Sequence, residues 1–254
     1  MPRRILIGTA GWSIPRTSAH RFAGGGSHLE RYASLLGCAE INSSFYRHHA
    51  AATYAKWALA TPETFRFAVK VPRAITHELK LRRARLLLER FLGETDGLGS
   101  KRGPLLVQLP PSLTYDAQVA GRFFALLRSS YDGPVVCEPR HETWFSARAE
   151  SLLVRYQVGR VAADPATVSW AGRPGGWGGM VYYRLHGSPR MYWSRYDEAY
   201  LAALADALRV AAASAETWCV FDNTATGAAL ENALDVQTLV ETPAASTESG
   251  TRRS

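Results

Sequence analysis

The chain has 254 residues, 46% hydrophobic and 20% charged, a globular composition that excludes a largely disordered polypeptide and leaves enough apolar material for a sizeable core. The length fits one eight-fold α/β barrel better than a small two-layer domain. A formal charge of +8 and a pI near 9.6 fit either anionic partners, small or polymeric, or a surface that is merely basic and rich in arginine.

No apolar run approaches the roughly 18 residues of a spanning helix, so no membrane partner is expected. The opening MPRRILIGTAGW runs from two arginines into a short β-like stretch without a secretion-type apolar region. Cys38, Cys137 and Cys219 lie far apart in apolar runs without CxxC spacing, which predicts buried thiols rather than disulfides or structural zinc. Together these features predict a cytoplasmic protein, and no segment advertises a protein partner.

In chain order, eight short apolar or β-branched runs are predicted strands: 4–8, 38–42, 65–71, 104–109, 134–138, 160–164, 180–186 and 217–222. Helical segments are predicted at 27–36, 50–60, 78–92, 113–130, 146–157, 197–214 and 226–240. Strands alternating with helices specify parallel βαβ units and hence a TIM-type (β/α)8 barrel. The 165–179 gap contains GRPGGWGG, so the helix after strand six is short or missing. One domain is expected over 1–242. The polar, apolar-poor 243–254 reads as a disordered tail.

Period-two alternation sends one side of each strand into the barrel. The inward set is polar near the C-terminal strand ends: Glu40, Asn42, Lys70, Gln108, Glu138, Asp164, Arg184, His186 and Asp222. Barrel enzymes carry their sites at this end. Four carboxylates facing Lys70 and Arg184 leave a formal −2 that needs balancing. A carboxylate-bound divalent metal, carboxylates of raised pKa, or the loop arginines Arg73 and Arg140 would each do so. Neither HxH nor HExxH spacing occurs, so no cofactor is required by the sequence and the metal stays open.

Ordered blocks carry a resemblance: GTAGW at 8–12, EINSSFYR at 40–47, FRFAVKVPRAITH at 65–77, LLVQLPPSL at 105–113, CEPRHETWF at 137–145, YYRLHGS at 182–188 and FDNTATGAALENAL at 221–234. Together they resemble the YecE-like family, a domain of unknown function (DUF72). The resemblance implies a TIM-type barrel with a polar pocket at its C-terminal mouth and implies no reaction. SIPRTSAHRFAGGG at 13–26 and HHAAAT at 48–53 depart from that pattern.

Candidate catalytic groups are Glu40, Lys70, Glu138, His141, Asp164, Arg184 and His186, able to hold or move protons. Candidate substrate contacts are Trp12, Asn42, Tyr46, His77, Gln108, Arg140 and Trp144, the aromatic residues offering stacking surfaces. Gly187, Asn223 and Thr224 join them at the loops where barrels often bind phosphate through backbone amides. The leading expectation is an enzyme, hydrolase or isomerase, acting on a phosphate-bearing substrate, nucleic acid included. A two-carboxylate glycosidase using Glu40 and Glu138 and a non-catalytic nucleic-acid binder are the alternatives.

Overall fold

A split strand closes the cylinder. The computed structural model describes residues 3–22 and 24–242, so the predicted tail at 243–254 lies outside the described residues. Strands β1 (Ile5–Ala10), β2 (Cys38–Ile41), β3 (Arg66–Lys70), β4 (Arg102–Gln108) and β5 (Val135–Glu138) pair in parallel in sequence order. The sixth predicted strand is divided into β6 (Val158–Arg160), paired with β5, and β7 (Ala162–Asp164), paired with β9 (Met180–Leu185). Strand β10 (Glu216–Phe221) then joins β9 to β1. With β6 and β7 taken as one interrupted strand, eight parallel strands make the (β/α)8 barrel. The two-residue β8 (Gly175–Gly176) adds a short antiparallel patch to β6, and 169–172 forms a single 3-10 turn. No α-helix therefore follows strand six.

Helices α1 (His28–Ala33), α2 (Ala51–Leu59), α3 (Arg85–Thr95), α4 (Ala117–Ser130), α5 (Ala147–Arg155), α6 (Glu198–Ala212) and α7 (Ala228–Glu241) cover the cylinder. Several start where a side chain takes up otherwise unpaired amides. Asp116 accepts from the amides of Gln118 and Val119, Ser146 from Ala149, and Asp197 from Tyr200. The helix predicted at 78–92 starts later than expected. A π turn occupies Ala74–Glu78, and Lys80, Leu81 and Arg83 have φ of 49°, 68° and 51°, a left-handed stretch that a right-handed helix cannot include.

Two apolar layers result. Leu6, Cys38, Ala68, Leu106, Val136, Val161, Met180, Tyr182, Trp218 and Val220 fill the barrel interior. The larger outer layer lies between strands and helices and includes Tyr32, Phe67, Phe91, Phe124, Leu153 and Leu208. Trp218 stacks on Tyr182 at 13° between ring planes, and Gly103 is required beside it because an added Cβ would sit 2.6 Å from the indole. The three cysteines are buried free thiols, as predicted. No helix among the described residues is long and apolar enough to cross a membrane.

Candidate active site

Above the apolar interior, the C-terminal strand ends supply a charged network. Laterally paired residues of a parallel sheet face the same side, so register identifies the inward set. Glu40 pairs with Ala68, Lys70 with Leu106, Gln108 with Glu138, and Arg184 with Val220. Arg184 lies at the centre, 1% exposed. Its Nη2 donates to Glu40 Oε1 at 2.7 Å and its Nε to Oε2 at 3.0 Å. Its Nη1 reaches Glu138 Oε2 at 3.2 Å, and Nη2 lies 2.9 Å from Asp222 Oδ2. Burial opposes the guanidinium charge, but Asp222, Glu40 and Glu138 outweigh it and hold the arginine more firmly protonated than usual.

His186 sits between two carboxylates. Its Nδ1 is 3.1 Å from Asp222 Oδ2 and its Nε2 is 3.0 Å from Glu138 Oε1. Arg140 folds in from the loop after β5, placing Nη2 against both Glu138 and His186 Nε2. Burial pushes the Glu138 carboxyl up, while Arg140, Arg184 and His186 pull harder and hold it well below the usual carboxylate range. Asp222 is likewise held down, with Arg184 the strongest opponent of its burial. Lys70 differs. Its Nζ lies over the Phe45 ring, 4.2 Å from the centroid, and among the described residues no hydrogen bond or ion pair to it is formed. Burial and the nearby Arg184 push its pKa down to about 8.

The sequence-derived imbalance of charge disappears. Asp164 is not in the network: it pairs in register with Leu185, which faces outward, and its Oδ2 accepts from Tyr196 Oη at 2.6 Å. Three carboxylates (Glu40, Glu138, Asp222) face three cations (Lys70, Arg140, Arg184), a formal zero before histidine. The case for a metal from excess negative charge therefore falls, and no His/Cys/Asp/Glu cluster among the described residues has the makings of a metal site. Arg73, the other loop arginine, pairs with Glu78 on the surface at 3.6 Å.

Other expected contacts divide. Asn42 reaches toward Asp222, Nδ2 to Oδ1 at 3.5 Å, and its own Oδ1 is buried without a partner. Gln108 stays half-buried on the inward face of β4, and Tyr46 is 77% exposed at the rim. His77 contacts Thr76 and packs edge-on against Phe45, beside the Lys70 site. Three residues stand apart from the expected roles. His141 accepts from the Thr143 amide and caps the 3-10 turn at 142–145, so it is committed locally rather than carrying protons at the network. Trp144 is 1% exposed, with Nε1 donating to the Leu113 carbonyl, so its ring is core and not a stacking wall. Trp12 packs edge-on against Trp57 and Phe67.

The expected phosphate loops are already hydrogen-bonded. The Gly187 amide donates to Tyr196 Oη at 2.9 Å, and the amides of Gly227 and Ala229 donate to the carbonyls of Thr224 and Asn223. Asn223 ties down the loop, donating to the Ser194 carbonyl and to Asn232 Oδ1. Thr224 is exposed on a cleft of about 210 Å³ outside the barrel, shared with Thr9, Ser13 and Leu230. These loops consequently brace the fold, whereas Lys70 Nζ has only the Phe45 ring beside it and Arg140 Nε is buried without a partner.

Four participants escaped the sequence reading. Tyr182 donates its hydroxyl to Glu40 Oε2 at 3.0 Å, and alternation from Arg184 would have found it. Phe45 supports Lys70, and Ser44 Oγ donates to the Lys70 carbonyl at 2.7 Å, both within the EINSSFYR block. Tyr192, set edge-on to His186 with centroids 5.7 Å apart, comes from an irregular loop that offers no periodic signal.

The model of a protein family of unknown function, DUF72, matches residues 6–253. The chain belongs to the DUF72 family. It is 32% identical over 176 residues to the UPF0759 protein YecE of Escherichia coli K12, a match covering 67% of this chain and 62% of that protein. It is 29% identical over 154 residues to the UPF0759 protein YunF of Bacillus subtilis 168, covering 56% and 52%. The chain thus spans about three fifths or less of the length of these curated relatives. DUF72 structures from Enterococcus faecalis and Thermotoga maritima superpose with TM-scores of 0.79 and 0.76 at 22% and 21% identity. They cover 95% and 94% of this chain, and 97% and 99% of their own. At that identity they support the DUF72 barrel fold alone.

Proposed function

We propose that the barrel mouth is the acid–base site of an enzyme acting on a small phosphate-bearing substrate, with hydrolase or isomerase chemistry. The supporting observation is the pair of cations with spare capacity, Lys70 without an oxygen partner and Arg140 with an unpartnered buried Nε, beside an imidazole set between two carboxylates. A half-desolvated ammonium with no oxygen partner, and a buried guanidinium N–H with none, are both stabilised by an added acceptor. A phosphoryl group supplies one, and Asn42 Oδ1 offers an acceptor for a substrate hydroxyl.

Within this reading Lys70 and Arg140 hold the phosphoryl group as cations, and His186, with Nδ1 3.1 Å from Asp222 and Nε2 3.0 Å from Glu138, is the acid–base group. A tautomer protonated on Nδ1 donates to Asp222 and leaves Nε2 facing Arg140 and Glu138. Glu138 and Asp222 remain charged and stabilise whichever cation the cycle forms. A glycosidase pair is disfavoured, since Glu40 and Glu138 both hold the Arg184 guanidinium, which occupies the space a sugar would need.

Calorimetric titration with inorganic phosphate and with glycerol phosphate, at matched ionic strength, tests the proposal. Saturable binding in the millimolar range or tighter is expected, lost in Lys70→Met and in Arg140→Gln. No saturable heat up to about 10 mM, or binding indifferent to both substitutions, would overturn it.

A further inference from the structure

The outer wall of the barrel carries a second basic surface, on the opposite side of the sheet from the charged network. Two clefts adjoin there. One, of about 580 Å³ between α4 and α5, is lined by Tyr115, Arg122, Arg148, Arg155 and Tyr156 among others. The second, of about 330 Å³ between the 81–85 segment and α4, shares Arg122 and adds Arg82, Arg83 and Arg85. No carboxylate lines either cleft. All six arginines are exposed.

Most of this charge is not neutralised locally. Arg82 lies 3.5 Å from Asp116 and Arg85 3.4 Å from Glu89. Among the described residues, Arg83, Arg122, Arg148 and Arg155 form no ion pair, while Arg155 lies over the ring of its neighbour Tyr156 at 5.8 Å. By contrast Arg102, Arg128 and Arg160, also on the outer side, are bound to carboxylates or carbonyls. The fold thus consumes some arginines as structural ties and, among the described residues, leaves Arg83, Arg122, Arg148 and Arg155 of this surface without an ion pair.

We infer that this two-cleft surface binds single-stranded nucleic acid, independently of the chemistry at the barrel mouth. Charge complementarity selects a polyanion. The choice of exposed arginine selects one with planar faces, because guanidinium groups grip phosphate as a fork and stack on bases. An acidic peptide would satisfy the charge and leave the guanidinium planes without a partner to stack on. The 30 basic residues include only four lysines, so the surface is arginine in character rather than generally cationic.

Fluorescence anisotropy with a labelled oligothymidine of about 20 nucleotides tests the assignment over 50 to 200 mM salt. Neutralising about four phosphates gives a log–log slope near −3, a loss of about 50-fold across that range. The variant Arg122→Ala/Arg148→Ala/Arg155→Ala, with alanine at or beside helical positions, should keep the wild-type melting temperature. It should weaken binding at least tenfold, with a slope shallower by about 2. Absence of binding at the lowest salt, or undiminished binding by the triple variant, overturns the inference. So does equal competition by polyglutamate, which would reassign the surface to acidic protein partners. Loss of binding in Arg140→Gln with the triple variant unaffected would move the nucleic acid to the mouth.

Discussion

Arg184 grips Glu40 with both edges of its guanidinium, Nη2 to Oε1 at 2.7 Å and Nε to Oε2 at 3.0 Å, where neither side chain is more than 1% exposed. The pair links β2 to β9 across the barrel and is completed by the Tyr182 hydroxyl. Removing one partner of such a pair leaves a buried charge uncompensated. Glu40→Gln should therefore cost about 3 kcal/mol or more in urea unfolding. A loss under about 1 kcal/mol would mean that the network re-pairs Arg184 with Glu138 and Asp222 alone.

Acid should unfold the protein through the same network. Glu138 and Asp222 have folded-state pKa values below their ordinary 4.5 and 3.8. Their contribution is full above those ordinary values and is lost as pH falls through the lower folded ones. Thermal melts from neutral pH downward should show the melting temperature falling most steeply below about pH 4. Asp222→Asn should flatten that acid limb; an unchanged limb would assign the acid sensitivity elsewhere.

Lys70 works in the opposite direction. Its pKa falls from 10.5 to about 8 on folding, so between those values the unfolded chain holds more protons and stability rises with pH. Below about pH 8 the desolvation cost is fully present, roughly 3 kcal/mol. Dimethylation with ¹³C labels the four lysines and the α-amine, whose own pKa is about 8; NMR should show a second resonance titrating near 8, lost in Lys70→Met. Four lysine resonances all titrating near 10.4 would show that folding leaves Lys70 unshifted.

Close packing at the barrel's first strand gives a purely structural prediction. A Cβ at Gly8 would lie 2.0 Å from the Cys38 carbonyl oxygen and 2.9 Å from its Sγ. Backbone on the neighbouring strand cannot give way as a side-chain tip can. Gly8→Ala should cost about 3 kcal/mol, and a wild-type melting temperature would show that β1 and β2 can separate locally.

The barrel was legible because parallel strands buried on both faces read as short β-branched runs, and most of the network followed from alternation. Glu40, Lys70, Gln108, Glu138 and Arg184 all lie on the inward register. Asp164 escaped that logic because RVAAD offers no polar–apolar alternation to set parity. Register shows Ala163 level with inward Arg184 and Asp164 level with outward Leu185. His141 and Trp144 had suitable chemistry and spacing, but a cap and a core contact are decided by where a loop turns, which side-chain identity does not encode. Arg140 was legible as a candidate substrate contact and as an option for charge balance, but not as a partner of Glu138 and His186. Its inward fold depends on Glu138 being two residues away and buried.

Glu138 tests whether the network serves chemistry, stability or both. A residue serving chemistry alone would leave the melting temperature of Glu138→Gln nearly unchanged or raised, and one serving only as an ion-pair partner would cost about 3 kcal/mol or more. The structure makes these roles inseparable, because Glu138 meets Arg184, Arg140 and His186 together. A glutamine amide would turn its NH2 toward a guanidinium or lose one acceptor contact. The expected outcome is a loss of about 3 kcal/mol together with at least tenfold weaker phosphate binding, since Arg140 loses the carboxylate that holds it at the mouth. Binding should be measured at a temperature where the variant remains folded by circular dichroism. Destabilisation with phosphate binding intact would reduce the network to structural duty, whereas lost binding at unchanged stability would show that Arg184 and Arg140 find other partners.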